Sequence, residues 1–135
     1  MIIAKINDRN TLVTDVSDQN GKSMTICSSK VESSYLSPRQ LVQAALAGCL
    51  SMTIRRELSE SGIEYKDVIV KVDMIEDSFI YDAEIESEED ASVIKEIKNK
   101  SFQNCFIRGL LSQGVQIVEG EVEESDSSTF DRCCD

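Results

Sequence analysis

The sequence contains no histidine. That absence excludes an imidazole general base, Ser-His and Cys-His nucleophile pairs, and mixed Cys/His zinc sites. Basic residues are also scarce, since 14 Lys and Arg stand against 25 Asp and Glu and give a formal charge of −11. Nucleic-acid binding needs a basic surface that displaces phosphate counterions, so the composition predicts no nucleic-acid partner.

Long apolar runs are missing as well. The longest covers residues 44–50, whereas a helix that spans a bilayer needs about 20 apolar residues. The first residues do not combine a basic segment with an apolar one, so we expect no secretion signal, no membrane association and a cytoplasmic location. A chain of 135 residues with 41% hydrophobic residues suits a single domain that needs no metal or disulfide for its stability.

The cysteines are the remaining source of reactivity. They are Cys27, Cys49, Cys105, Cys133 and Cys134. An odd number in a reducing compartment argues against a disulfide framework, and no pair has the two-residue gap that is typical of zinc sites. The sequence therefore predicts no metal site, and thiol chemistry is what remains to be considered.

Hydrophobic periodicity predicts an α+β chain. Strands are expected at residues 2–6, 11–15, 24–27, 68–74, 79–85 and 115–118. A long helix is expected over residues 38–61, and a second helical stretch follows acidic residues 86–90, breaks near residues 99–101 and continues for one or two turns. We assign residues 1–122 to one domain and the acidic, Ser-rich residues 123–135 to a flexible tail.

The long helix has a clear start and an apolar interior. Ser37 can cap it, Pro38 suits its first position, and Gln40 can close a capping box. Residues 44–50 are apolar on every side of the helix, so we expect this segment to be buried all round.

Cys49 lies in this apolar segment beside Gly48, and Cys105 begins the second apolar helical stretch. A cysteine on an apolar helix face is more often packed than reactive. If the two helices pack together, however, their sulfur atoms come within disulfide reach. Gly48 would also let another backbone or a substrate approach closely. The pattern therefore favours a thiol pair that cycles between reduced and oxidised forms.

Three segments carry a resemblance to a known family. Residues 37–49 place Cys49 eleven residues after Pro38, Asn104 precedes Cys105, and residues 114–117 begin a last strand. Together they resemble the OsmC/Ohr family of thiol-dependent hydroperoxide reductases, and the resemblance covers about residues 2–122.

The resemblance implies an OsmC-like fold in which antiparallel sheets pack around two central helices of an intertwined homodimer. It also implies a peroxidase of oxidative-stress defence, in which Cys49 attacks an organic or lipid hydroperoxide and Cys105 resolves the product as a disulfide. An apolar cleft would favour such substrates, because each buried CH₂ contributes about 0.8 kcal/mol. The family implies no bound cofactor and an external dithiol, such as a lipoyl group, as reductant.

The activating cation is where this sequence departs from the family. The usual Arg is oriented by a Glu just after the helix-start proline, and Arg39 occupies that Glu position here. A second branch begins its helix Ser-Pro-x-Glu, with Gln40 at the position of that Glu. The candidates to activate Cys49 are therefore Arg9, Arg39 of a partner chain, and Arg56, which follows Cys49 by seven residues on the same helix face.

Two alternative functions stay open. A non-catalytic module would keep the dimer and bind an apolar or sulfur-containing ligand in its cleft, with both cysteines only packed. The second alternative is sulfur handling or redox sensing by Cys133 and Cys134, which would be exposed on the tail. Cys27 is expected to fill a strand interior.

Overall fold

The computed structural model describes residues 1–28, 30 and 34–122. Cys133, Cys134 and the whole predicted tail lie outside these residues. The chain divides into two compact units, which contain Met1–Val42 and Gln43–Ile117. Sheets in both units are antiparallel and three helices accompany them, so the α+β class is confirmed. The assignment of residues 1–122 to a single domain stays a prediction.

The first unit contains a three-stranded sheet. Its strands are β1 (Ile2–Ile6), β2 (Val13–Asp18) and β3 (Ser23–Cys27), and they pair in the order β1-β2-β3. The middle strand starts later than predicted, because the Asn7 side chain accepts two backbone N–H bonds and holds residues 7–10 in a turn. Cys27 is buried and its thiol donates to the Leu12 carbonyl at 3.6 Å, which agrees with a filling role.

Helix α1 (Pro38–Glu60) follows the predicted bounds closely. The Gln40 N–H donates to Ser37 Oγ at 3.2 Å, and the Ser37 N–H donates to Gln40 Oε1 at 3.0 Å. This is the predicted capping box, and it places Gln40 in a structural role at the helix start. Gly62 follows the helix with a φ of 67°, a conformation that favours glycine and reverses the chain.

The second unit contains a hairpin and two short helices. The hairpin strands are β4 (Asp67–Ile75) and β5 (Ser78–Glu86), and the helices are α2 (Ala91–Asn104) and α3 (Phe106–Gln113). Alternate residues of β4 face inward, as the period of two predicts.

The predicted helix break near residues 99–101 is wrong. Helix α2 runs through this segment, where Ser101 is fully buried and its hydroxyl donates to the Ile97 carbonyl at 2.7 Å. The break falls at Cys105, whose backbone is extended with φ −72° and ψ 118°. A serine bonded to its own helix in this way does not interrupt it, although serine is more common at helix ends.

The strand predicted at residues 115–118 is not formed. Gly114 ends α3 with a φ of 68°, and the residues after it have no regular structure and are exposed. Within the described chain no neighbouring strand pairs with them. Alternating apolar residues alone do not make a strand, because each strand needs a partner for its backbone hydrogen bonds.

The core of the second unit consists of two clusters along α1. One contains Leu46, Cys49, Leu50 and Cys105, and the other contains Ile54, Leu58, Ala83 and Ile97. Burial of residues 44–50 on every side is not observed in the single chain, since Ala44 and Ala45 are exposed. No helix in the described residues is long and apolar enough to cross a membrane.

Ile54 offers a test of this packing. Its side chain is fully buried in the second cluster. We expect Ile54→Ala to lower the free energy of unfolding by about 2–5 kcal/mol, because it removes buried methyl groups and leaves a cavity. Ile117→Ala is the matched control, since Ile117 is 97% exposed. Urea unfolding of both variants checks the difference, and equal losses would contradict the assigned core.

Candidate active site

Two cysteine sulfurs meet in the core of the second unit. Cys49 lies in the middle of α1, and Cys105 lies at the junction of α2 and α3. Their sulfur atoms are 3.1 Å apart and are not joined by a disulfide bond. A disulfide bond is about 2.05 Å long, so closing this pair requires a movement of about 1 Å. The predicted proximity of the two sulfurs is confirmed.

The surroundings of the pair are apolar and aromatic. Cys49 is 5% exposed and Cys105 is 2% exposed. Six partly buried side chains pack against their cluster: Val70, Val72, Phe79, Tyr81, Phe102 and Ile107. The rings of Tyr81 and Phe102 meet edge to face with centroids 5.0 Å apart. Such an environment penalises a thiolate unless a donor or a positive charge stabilises it.

Burial raises the pKa of the Cys105 thiol to about 11 from an ordinary value of 9.0. The backbone N–H of Arg108, at the start of α3, acts in the opposite direction, and the hydrogen bond with Cys49 raises the pKa further. Cys105 is therefore a protonated thiol at neutral pH. In this state it donates its hydrogen bond to the Cys49 sulfur.

Arg108 is a neighbour of the site that the sequence did not single out. Its Nε donates to Tyr81 Oη at 2.7 Å, and Tyr81 packs against the cysteine cluster. No carboxylate of the described residues lies within 4.0 Å of its guanidinium. In the sequence, Arg108 could have been noticed because it follows Cys105 by three residues, a spacing that puts both residues on one side of a helical turn.

The predicted activating arginines lie in three different places. Arg9 is in the turn between β1 and β2, where its N–H donates to Asn7 Oδ1. Arg39 is in the first turn of α1, and both residues belong to the first unit. Arg56 lies on α1 in the second unit, with its Nη2 3.9 Å from Glu57 Oε1. Their roles stay predictions.

The space beside Gly48 is open. Apart from its chain neighbours and the backbone of its own helix, a Cβ added there would meet no atom of the described chain within 4 Å. The close approach expected at this glycine is therefore not made by the chain itself in its described part. A close approach by a substrate or another backbone at Gly48 stays a prediction.

A separate polar cavity of about 610 Å³ lies near the C-terminal end of α1. It is lined by Gly62, Glu64, Tyr65, Lys66, Glu86, Ser87, Glu88 and Glu89. Neither cysteine borders it, so the apolar substrate cleft near Cys49 stays a prediction. Across the described residues, no three Cys, Asp or Glu side chains are grouped so that they would hold a metal ion.

The raised pKa of Cys105 predicts how stability changes in alkaline solution. In the unfolded chain this thiol ionises near its ordinary value of 9.0, whereas in the folded chain it ionises near 11. The unfolded state therefore loses its proton first, and the free energy of unfolding falls as the pH rises between these two values. Below pH 9.0 the contribution is fully present.

Urea unfolding of the wild-type chain and of Cys105→Ala over this pH range checks the expectation. The wild-type chain should lose stability more steeply than the variant, because the variant lacks the Cys105 thiol but keeps every other titrating side chain. Parallel curves would show that Cys105 ionises normally in the folded state.

Comparison with solved structures supports the fold. An OsmC-like protein from Mycoplasma pneumoniae aligns with a TM-score of 0.70 and 19% identity, over 85% of this chain and 87% of that one. An organic hydroperoxide resistance protein from Elizabethkingia anophelis aligns with a TM-score of 0.58 and 14% identity, over 80% and 84%. For the organic hydroperoxide resistance protein OhrB of Bacillus subtilis the values are 0.56, 16%, 81% and 87%. At these identities the likeness concerns the fold.

The family is established by sequence. No curated protein matches the chain closely enough to count as a relative. A sequence model of the family described as OsmC-like protein, however, matches residues 31–119, which is well over half of the chain. The matched region contains α1, the hairpin, α2 and α3, and therefore both cysteines of the candidate site. This chain belongs to the OsmC-like protein family.

Proposed function

We propose that this protein reduces organic hydroperoxides with two cysteines, Cys49 as the nucleophile and Cys105 as the resolving thiol. The observation that carries the proposal is the 3.1 Å contact between the sulfur atoms of Cys49 and Cys105. The two cysteines are 56 positions apart in the chain, and packing of the core alone does not require their sulfur atoms to touch. The names of the similar solved structures agree with this chemistry.

In the first step, the Cys49 thiolate attacks the terminal oxygen of the hydroperoxide. The O–O bond breaks, its electron pair leaves with the alkoxide, and the alkoxide takes a proton to become an alcohol. Cys49 becomes a sulfenic acid. The raised pKa of Cys105 supports this assignment, because it keeps Cys105 protonated and able to donate to the Cys49 sulfur.

In the second step, the Cys105 sulfur attacks the Cys49 sulfur. An S–S bond forms, the S–O bond of the sulfenic acid breaks, and the hydroxide leaves as water with the proton from Cys105. An external dithiol then reduces the disulfide and is itself oxidised. We propose a lipoyl-type dithiol for this role and a cytoplasmic setting, where such dithiols are kept reduced.

A cation is needed to stabilise the Cys49 thiolate in its apolar surroundings. The candidates are Arg9, Arg39 and Arg56, and the contact with Tyr81 adds Arg108. We expect replacement of the activating arginine by Met to slow oxidation of Cys49 at neutral pH by about tenfold or more, since a hydrogen bond to a charged group contributes about 1.5–3 kcal/mol.

Stopped-flow oxidation of the four single variants identifies the arginine. The variant that loses rate at neutral pH should recover it in alkaline solution, where the thiolate forms without help. Four variants with wild-type rates would assign activation to a group other than an arginine of this set.

We propose that the working form is a homodimer. The outer face of the β4–β5 hairpin exposes three large aliphatic side chains, Ile69 at 45%, Ile75 at 53% and Ile80 at 53%. Neighbouring large apolar side chains that are exposed on one face are typical of a surface that another chain covers. A second copy of the chain supplies that cover in an intertwined dimer, and light scattering after size-exclusion chromatography measures the mass that tests it.

A non-catalytic binding module is the second candidate. It is favoured by the depth of the site, because both sulfurs are nearly inaccessible to solvent. A hydroperoxide reaches Cys49 only if the surrounding side chains move. If the cysteines are only packed, excess hydroperoxide will leave the thiol count unchanged.

The thiol count after oxidation is the direct test of the proposed function. We expect one equivalent of cumene hydroperoxide to remove two thiols and to form the Cys49–Cys105 disulfide, detected by peptide mass spectrometry. Cys49→Ser should abolish turnover, whereas Cys105→Ser should leave a sulfenic acid that a carbonyl nucleophile traps. Cys27→Ser is the matched control, because Cys27 is equally buried but lies in the first unit.

Two results would contradict the assignment. Wild-type turnover in Cys49→Ser would remove Cys49 from the mechanism. Loss of reactivity only when Cys133 and Cys134 are replaced would favour sulfur handling or redox sensing by those residues instead.

A further inference from the structure

Helix α1 carries a buried carboxylate that the proposed mechanism does not use. Glu57 is 3% exposed, and it lies on the part of α1 that packs toward the end of α2. Burying a charged side chain is costly unless it is paired. The groups that contact the Glu57 carboxylate therefore indicate which part of the structure its charge stabilises.

Three groups surround the Glu57 carboxylate. Asn104 Nδ2 donates to Oε1 at 3.4 Å, and Arg56 Nη2 lies 3.9 Å from the same oxygen. The Lys100 ammonium lies 3.1 Å from Oε2 as an ion pair but is not aligned as a hydrogen bond, so Oε2 has no hydrogen-bond donor among the described residues. Two of the three partners, Lys100 and Asn104, belong to the C-terminal part of α2.

Asn104 is the last residue of α2 and immediately precedes Cys105. The chain is extended at Cys105, so the helical hydrogen bonds of α2 end at the residue that must present its sulfur to α1. Glu57 and Cys49 are both on α1, and each contacts one of these two neighbouring residues. The end of α2 is therefore held to α1 at two adjacent points.

We propose that Glu57 is a positioning residue for disulfide formation: through Asn104 and Lys100 it holds the α2–α3 junction so that the Cys105 sulfur faces Cys49. The inference rests on the proposed function, since it concerns the second step. In that step the S–S bond forms, the S–O bond of the Cys49 sulfenic acid breaks, and water leaves. Glu57 takes no part in the bond changes.

The experiment separates the two steps in four variants. In Asn104→Ala and Glu57→Ala, we expect sulfenic acid to form at a rate within about twofold of wild type, whereas disulfide closure slows about tenfold or more. Glu57→Gln should lie between them and wild type, because its amide oxygen still accepts from Asn104 but has no charge for Lys100. Glu84→Ala is the matched control, since it breaks only the exposed Lys71–Glu84 pair at 3.2 Å.

If Glu57→Ala does not fold, Asn104→Ala tests the proposal by itself, because Asn104 is exposed and removal of its side chain leaves no buried cavity. In the double variant, closure should be no slower than in the slower single variant, as is typical of two residues that act through one contact. Additive slowing in the double variant would overturn the proposal. It would also be overturned if Asn104→Ala closed at the wild-type rate while Glu57→Gln was as slow as Glu57→Ala.

A second oxidant keeps this inference distinct from the proposed function. Diamide oxidises two thiols to a disulfide and is itself reduced to a hydrazine, so it closes the Cys49–Cys105 pair without any peroxide. If wild type closes with diamide but not with cumene hydroperoxide, the proposed function fails, and the diamide rates of the variants still test Glu57. Variants that close as fast as wild type with diamide overturn the positioning role, and a wild-type chain that closes with neither reagent overturns both.

Discussion

The contact between the Cys49 and Cys105 sulfurs is the interaction on which the candidate site depends. It exists because α2 stops at Asn104 and the chain is extended for one residue before α3 begins. In a continued helix each side chain is rotated by about 100° from the one before it, so the extended backbone at Cys105 changes the direction in which its side chain leaves the chain. Helix α3 begins directly after Cys105, since the Gly109 N–H donates to the Cys105 carbonyl at 3.0 Å.

Packing and reactivity place opposite demands on this part of the molecule. The aliphatic and aromatic side chains around the cysteines stabilise the fold, but they also raise the pKa of Cys105 and keep it protonated. A protonated Cys105 donates its hydrogen bond to the Cys49 sulfur, and in the proposed mechanism this bond would help to stabilise a Cys49 thiolate. Two polar contacts lie close to the cysteines in the chain or in the core, Arg108 with Tyr81 and Glu57 with Asn104.

Elements governed by local rules were predictable from the sequence. The capping box of Ser37 and Gln40, the glycine that follows α1 and the β4–β5 hairpin all depend on residues close together in the chain. The place of the second helix break was not predictable, because polar residues near 99–101 carry the same signal as a helix end. Ser101 instead is buried and bonds within the helix. The expected last strand failed for a related reason, since pairing is not a local property.

The two cysteines of the site were found from an apolar pattern and a family resemblance, whereas Glu57 and Arg108 were not. On the sequence, Glu57 is an ordinary acidic residue among many in a chain of net charge −11, and its burial follows only from contacts with α2. What the amino-acid sequence by itself determined was the family, the long helix and the thiols available for chemistry, because these depend on residue type and short-range spacing. Only the tertiary structure decided which thiols meet, which stays protonated and which charges are buried, because each of these depends on contacts between residues that lie far apart along the chain.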